Sequence, residues 1–218
     1  KQGHTNLLFL PMFPQYSTTT TKSIANQISR VIKNKKIFTN ENSIRFIKDF
    51  HDNKDYIHSS ISHIQKYQKQ HGKPDKLLLS FHGIPKSYVA DDEPYQTQCF
   101  ITADLIAKGL KLSEKDYEVV FQSRFGKSEW IQPYLAERLE NLPSEGIINI
   151  QVYCPGFSSD CLETIEEIGE ESHDLFMESG GKVYNFIPCL NGDPKFIETL
   201  ESLIRSFEQK SINFRDLL

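Results

Sequence analysis

The 218-residue chain carries 25 Lys and Arg against 29 Asp and Glu, a net charge of −4, 38% hydrophobic residues, 11 Gly and 10 Pro. That composition excludes disorder, collagen-like repeats and low-complexity tails, and the scattered basic residues leave no footprint for nucleic acid. Cys99, Cys154, Cys161 and Cys189 stand far apart with no CxxC pair, which excludes a zinc ribbon and a disulfide framework and makes a reducing cytoplasm the expected setting.

Six short apolar runs, each followed by a turn and a longer amphipathic stretch, read as βα units over mainly parallel sheets. In chain order the pattern predicts a strand at 6–10 and a helix at 20–32, a strand at 44–47 and a helix at 54–69, then a strand at 76–81 and a helix at 95–110. A strand at 118–122 precedes a helix at 130–142, a strand at 147–154 a helix at 161–178, and a strand at 182–187 a helix at 194–207. Apolar positions in the helices recur at three and four residues, as Ile101, Leu105 and Ala107 do with Leu110. No apolar run reaches the roughly 18 residues of a transmembrane helix.

The polar stretch 71–75 holds Gly72 and Pro74 between a long helix and a new strand, so the domain boundary is expected there, dividing 1–75 from 76–218. Two strands are too few for a stable unit, and the chain enters an apolar strand almost at once. The expectation is a first domain that lacks its N-terminal strands. In open α/β sheets ligands bind at the carboxyl ends of strands, so the turns at 11–16, 82–85, 123–126, 155–157 and 188–192 are where chemistry belongs.

His82 follows the run Leu77-Leu78-Leu79-Ser80-Phe81, and Gly83 and Pro85 turn the chain there. A strand-end imidazole can accept a proton or bind a metal near neutral pH; it can equally have both nitrogens satisfied by nearby backbone. Past Pro155-Gly156-Phe157, the residues Glu163, Glu167 and Glu170 fall at i, i+4 and i+7 of a helix. Such a stripe suits a cation path, and carboxylate with imidazole suits a divalent ion such as Fe²⁺. It also suits a solvated face behind a capping box from Asp160 to Glu163. Trp130, at the expected start of a helix near Arg124 and Phe125, could stack on a flat macrocycle whose acidic groups Arg124 would bind, or simply pack on the sheet. The hydroxyl-rich turn 17–21 caps a helix and binds an anion only secondarily. Neither GxGxxG nor GxxxxGK[ST] nor GxSxG occurs.

Taken in order, Leu10-Pro11-Met12-Phe13-Pro14-Gln15-Tyr16-Ser17, Leu79-Ser80-Phe81-His82-Gly83-Ile84-Pro85 with Pro94-Tyr95, Phe121-Gln122-Ser123-Arg124-Phe125-Gly126 with Glu129-Trp130, Cys154-Pro155-Gly156-Phe157 with Asp160-Cys161-Leu162-Glu163-Thr164, and Ile187-Pro188-Cys189-Leu190-Asn191 resemble the ferrochelatase family of the bacterial, protoporphyrin-using type. The resemblance implies two Rossmann-like, chelatase-type domains with the porphyrin cleft between them and a terminal helix returning to the first. It implies insertion of Fe²⁺ into protoporphyrin IX to form protohaem, with Fe²⁺ as substrate and no permanently bound cofactor. It assigns His82 and Glu163 to the catalytic pair, His82, Glu163 and Glu167 to metal positions, and Trp130, Arg124 and Tyr16 to the substrate pocket. Phe13 stands where many relatives have Tyr, Lys54 where several have His, and Asp92-Glu93 where Gly-Asp is common. Cys161 occupies a place that is His in some eukaryotic relatives, and no cysteine-bearing extension follows Phe207, so no iron–sulfur cluster is expected. Family members carry roughly a further half-length before Leu7, which leaves a second reading, a truncated, non-catalytic tetrapyrrole-binding fragment of the same fold. A chelatase for cobalt and another tetrapyrrole ranks last. Oligomeric state and peripheral membrane contact are left open.

Overall fold

The structure, a computed structural model, describes residues 6–35, 44–89, 93–206 and 211–217. Asp92 and Phe207 lie outside these residues. Strands β3 (Lys76–His82), β4 (Tyr117–Gln122), β5 (Asn149–Tyr153) and β6 (Val183–Ile187) form a parallel sheet in the order β4-β3-β5-β6. β3 lies inside the sheet and is covered on both faces, which explains its apolar run, broken only by Ser80, whose hydroxyl donates to Gln122 Oε1 at 2.8 Å. The pleat divides that run. Leu77, Leu79 and Phe81 pack under α2 (Lys54–His71), α3 (Tyr95–Leu110) and α7 (Pro194–Arg205). Leu78 packs with Leu135 and Leu139 of α4 (Leu135–Asn141) and Phe176 of α6 (Ser172–Glu178).

A second, mixed sheet joins β1 (Leu7–Phe9) in parallel to β2 (Ile44–Phe46), and β2 antiparallel to β7 (Ile212–Asn213). Arg45 ties this return, donating to Ser211 Oγ at 2.9 Å and to the Ser211 carbonyl at 2.7 Å. The sheet's core is small: Tyr16, Ile44, Phe46 and Phe214, with Ala25 and Ile32 from α1 (Thr21–Lys35). The architecture is thus α/β with one parallel and one mixed sheet.

Two helices differ from the sequence pattern. The helix expected from Trp130 begins at Leu135, because the preceding residues are held in an extended pairing. Ile131 N–H donates to the Ile84 carbonyl at 3.0 Å, Lys86 N–H to the Glu129 carbonyl at 2.8 Å, and Pro133 disfavours a helical Gln132. The helix expected over 161–178 is one α turn, α5 (Leu162–Ile165), then a wider π stretch at Glu167–Glu171 containing Gly169, then α6. Insertions of this kind sit often at functional sites, and glycine weakens the competing α register.

Candidate active site

The carboxyl ends of β3, β4 and β5 open into a cleft of about 370 Å³. Its walls include Phe13 and Thr20 from the segments flanking β1 and α1, His82 and Trp130, and Phe157 and Glu163 beyond β5. Sequence reasoning singled out three of these six. Phe13 and Phe157 were hinted at by their strand-end turns, and Thr20 by the hydroxyl-rich turn 17–21.

His82 closes β3, paired in register with Gln122 of β4. Its Nδ1 lies 2.6 Å from the Gly83 carbonyl. A carbonyl only accepts, so Nδ1 carries the hydrogen and Nε2 is left as the basic or metal-binding atom. Nε2 stands 3.4 Å from Glu163 Oε1. From behind, Tyr95 Oη donates to the His82 carbonyl at 2.9 Å, and burial pushes the Tyr95 hydroxyl's pKa well up, so it stays a donor. Gly83 is needed where it sits: a Cβ there would lie 2.9 Å from the Gln122 carbonyl and 3.1 Å from the Trp130 ring. Trp130 is buried, its ring 6.5 Å from that of His82 and edge-on to Phe125 at 5.0 Å.

Glu163 lies in the first turn of α5, with 52% of its side chain exposed. The capping box expected from Asp160 to Glu163 is shifted by one residue: the Cys161 N–H donates to Thr164 Oγ1 at 3.0 Å. Asp160 instead clamps the neighbouring turn, accepting from Cys189 N–H at 3.0 Å and Asn191 Nδ2 at 2.6 Å. Burial raises its pKa, but these bonds outweigh burial and hold the carboxyl below its ordinary range. Glu163 is therefore spared from capping and faces the cleft. Its Oε2 meets the Cys161 thiol at 3.8 Å, and Gln122 Nε2 fixes its backbone carbonyl at 3.0 Å.

The acidic stripe does not survive the π stretch as one face. Glu167 lines an adjacent cavity of about 400 Å³, where Oε1 accepts from the Ser123 N–H and Oε2 from its hydroxyl, each at 2.6 Å. Arg124 lines that same cavity, 3.1 Å from Glu137 and stacked 4.2 Å over the Tyr134 ring. Tyr16 is buried in the mixed-sheet core, with Lys48 Nζ 4.5 Å from its ring, while its neighbours Gln15 and Ser17 line the cleft. The structure thus brings His82, Glu163 and Trp130 together and sets Glu167, Arg124 and Tyr16 apart. Among the described residues one trio, Asp49, His51 and Asp52, outside this cleft, brings potential ligand atoms within 4.8 Å of one another. There His51 Nδ1 is already bonded to Asp49 at 2.9 Å.

Sheet and cleft together define the class: an open α/β protein with its site at the carboxyl ends of parallel strands. A sequence model of the ferrochelatase family matches residues 1–207, and the chain belongs to that family, as a partial chelatase-type fold. It is similar to ferrochelatase of Marinobacter nauticus, 45% identical over 204 residues, covering 94% of this chain and 54% of that protein. Ferrochelatase of Idiomarina loihiensis is 43% identical over 206 residues, covering 94% and 56%. Ferrochelatase of Janthinobacterium sp. strain Marseille is 46% identical over 201 residues, covering 92% and 54%. The chain spans about half the length of the curated relatives it matches. Among the described residues no helix is long and apolar enough to cross a membrane.

Proposed function

We propose that the whole protein inserts Fe²⁺ into protoporphyrin IX to form protohaem, with His82 and Glu163 as its catalytic pair. The observation that carries the reading is the 3.4 Å approach of His82 Nε2 to Glu163 Oε1. With Nδ1 committed to Gly83, these are two acceptors face to face, an arrangement that is favourable only with a proton or a cation between them. The reaction supplies both: two pyrrole N–H protons leave the macrocycle and one divalent cation enters. His82 Nε2 takes the two pyrrole protons in turn, passing each to water, while the Glu163 carboxylate stabilises the imidazolium that forms each time. The same two groups can strip water from the arriving Fe²⁺ before transfer, as imidazole and carboxylate are both acceptable ligands to it.

Trp130 forms one wall for the flat ring. Arg124 serves the acidic substituents from the adjacent cavity once it leaves Glu137, Glu167 extends the metal path on that side, and Tyr16 acts from beneath Gln15 and Ser17. The reading requires neither a resident cofactor nor an iron–sulfur cluster. It places the protein in the cytoplasm, where the exposed apolar rim of Phe13, Tyr88, Phe125 and Leu162 leaves peripheral membrane contact open.

A second reading, that the 218 residues alone hold a tetrapyrrole without metallating it, rests on their matching only about half of each relative. One assay separates the two. Fe²⁺ and protoporphyrin are supplied anaerobically to the whole protein, to this chain and to His82→Ala in the whole protein. Metalloporphyrin from the whole protein, lost in His82→Ala, supports the first reading, and a shifted porphyrin Soret band without metallation in this chain supports the second; no metalloporphyrin from the whole protein defeats the first.

A further inference from the structure

Among the described residues Glu93 is the only buried carboxylate, 7% exposed. Its charge is met by hydrogen-bond donors, which come from two separate parts of the cleft. Oε2 accepts from Ser17 Oγ at 3.2 Å, Thr18 N–H at 2.8 Å and Thr18 Oγ1 at 2.5 Å, filling from within the turn that the sequence offered to an external anion. Oε1 accepts from the Tyr95 N–H at 3.3 Å. Tyr95 in turn reaches the His82 carbonyl through its hydroxyl. Ser17, Thr19 and Thr20 line one side of the cleft, and His82 and Tyr95 another.

We propose that Glu93 is a positioning residue that, through Tyr95, fixes the spacing between the Ser17–Thr20 wall and His82. A buried carboxylate is costly unless its oxygens are hydrogen-bonded, so the donors that Glu93 gathers must stay gathered. Bonds to a charged acceptor are stronger than neutral ones and hold two loops from different elements in one geometry. The segment before this turn is already tied to α3, Gln15 Nε2 donating to Thr102 Oγ1 at 3.0 Å and Tyr16 N–H to Gln98 Oε1 at 2.6 Å, and Glu93 extends that tie to the turn itself and to the end of β3. The amide of a glutamine keeps the shape, but it removes the charge and turns an acceptor into a donor opposite a backbone N–H. An aspartate keeps the charge.

The proposal rests on the reading that this cleft takes the tetrapyrrole, and two measurements on the whole protein keep the two ideas separable. Protoporphyrin affinity is read from the shift of its Soret band, and hydrogen exchange is read over 17–22 and 82–88. Glu93→Gln is expected to weaken affinity at least tenfold and to speed exchange in both segments, Glu93→Asp to stay within about threefold of wild type. In a cycle with Tyr95→Phe the two losses should be less than additive, because both break one bridge. Wild-type affinity in Glu93→Gln, faster exchange in 17–22 alone, or full additivity overturns the proposal. If the wild type binds no protoporphyrin the functional reading fails, and exchange at 82–88 still decides the bridge. Should Glu93→Gln not fold, Tyr95→Phe and Glu93→Asp carry the comparison.

Discussion

His82 Nε2 and Glu163 Oε1 face each other at 3.4 Å across the cleft, one from the end of β3 and the other from the first turn of α5. Because Nδ1 is held by the Gly83 carbonyl, Glu163 can act only through Nε2. His82→Ala and Glu163→Gln in the whole protein should each lower the anaerobic rate of metalloporphyrin formation by roughly 10²- to 10⁴-fold, the range for a positioned acid–base group. The double variant should be little slower than either single one, since the pair works as a unit.

Glu167 should behave differently. Both of its oxygens are engaged by Ser123, a residue in the left-handed region at φ 66°, so its first task is to hold that turn. Glu167→Gln should cost about 1.5–3 kcal/mol of stability through the loss of charged hydrogen bonds, measured by denaturant unfolding. Its effect on the metallation rate should be far smaller than that of Glu163→Gln. Equal losses at the two positions would restore the view of one continuous acidic path.

Most of this arrangement was open to sequence reasoning, and the rest failed for identifiable reasons. The unbroken run through Leu77, Leu78 and Leu79 reads as an interior parallel strand, which puts His82 at a strand end. The period of 3.6 that placed Glu163 and Glu167 on one face holds only while the helix stays α. The π stretch at Glu167–Glu171 shifts the face, and a lone Gly169 is a weak cue to it. Trp130 was expected in a helix because the pairing of Ile131 with Ile84, a contact across 47 residues, leaves no local trace beyond Pro133. Arg124 and Tyr16 carry plausible chemistry, but their side-chain directions depend on Glu137, Tyr134 and Lys48, none of which is adjacent to them in the chain.

Gly83 supplies a third test. A methyl group there would press on both the Gln122 carbonyl and the Trp130 ring. Neither can yield easily, since the carbonyl already accepts from the Gly83 N–H at 2.8 Å and the ring is buried. Gly83→Ala should lose about 1–3 kcal/mol, as overpacked sites do. In this chain, whose only tryptophan is Trp130, the emission band should move as well. A stable variant with unchanged emission would mean that the wall is looser than the geometry indicates.

Acid should loosen the turn behind Glu163. The folded-state pKa of Asp160 is held down by Asn191 and Cys189 against the opposing effect of burial. A depressed carboxyl contributes stability above the unfolded value, about 3.9, and loses it as pH falls through the lower folded value. Thermal unfolding of wild type and Asp160→Asn should therefore differ at pH 6, begin to close near about pH 3.9 and meet only below the lower folded value. A gap that stays constant with pH would show that the clamp does not depend on the charge.

The cysteines give a test of the cleft that requires no substrate. Burial pushes the thiols of Cys99, Cys154 and Cys189 well up, which keeps them protonated and unreactive. Cys161 alone is partly exposed, its Sγ 3.8 Å from Glu163 Oε2. A thiol-specific disulfide reagent should therefore label one of the four cysteines in the folded chain and all four in denaturant. The adduct at Cys161 would sit against the Glu163 carboxylate, so in the whole protein labelling should abolish metallation while leaving the fold intact by circular dichroism. Cys161→Ser should leave no fast-reacting thiol and should protect activity from the reagent. Labelling at a buried position first, or full activity in the adduct, would place Cys161 outside the working cleft.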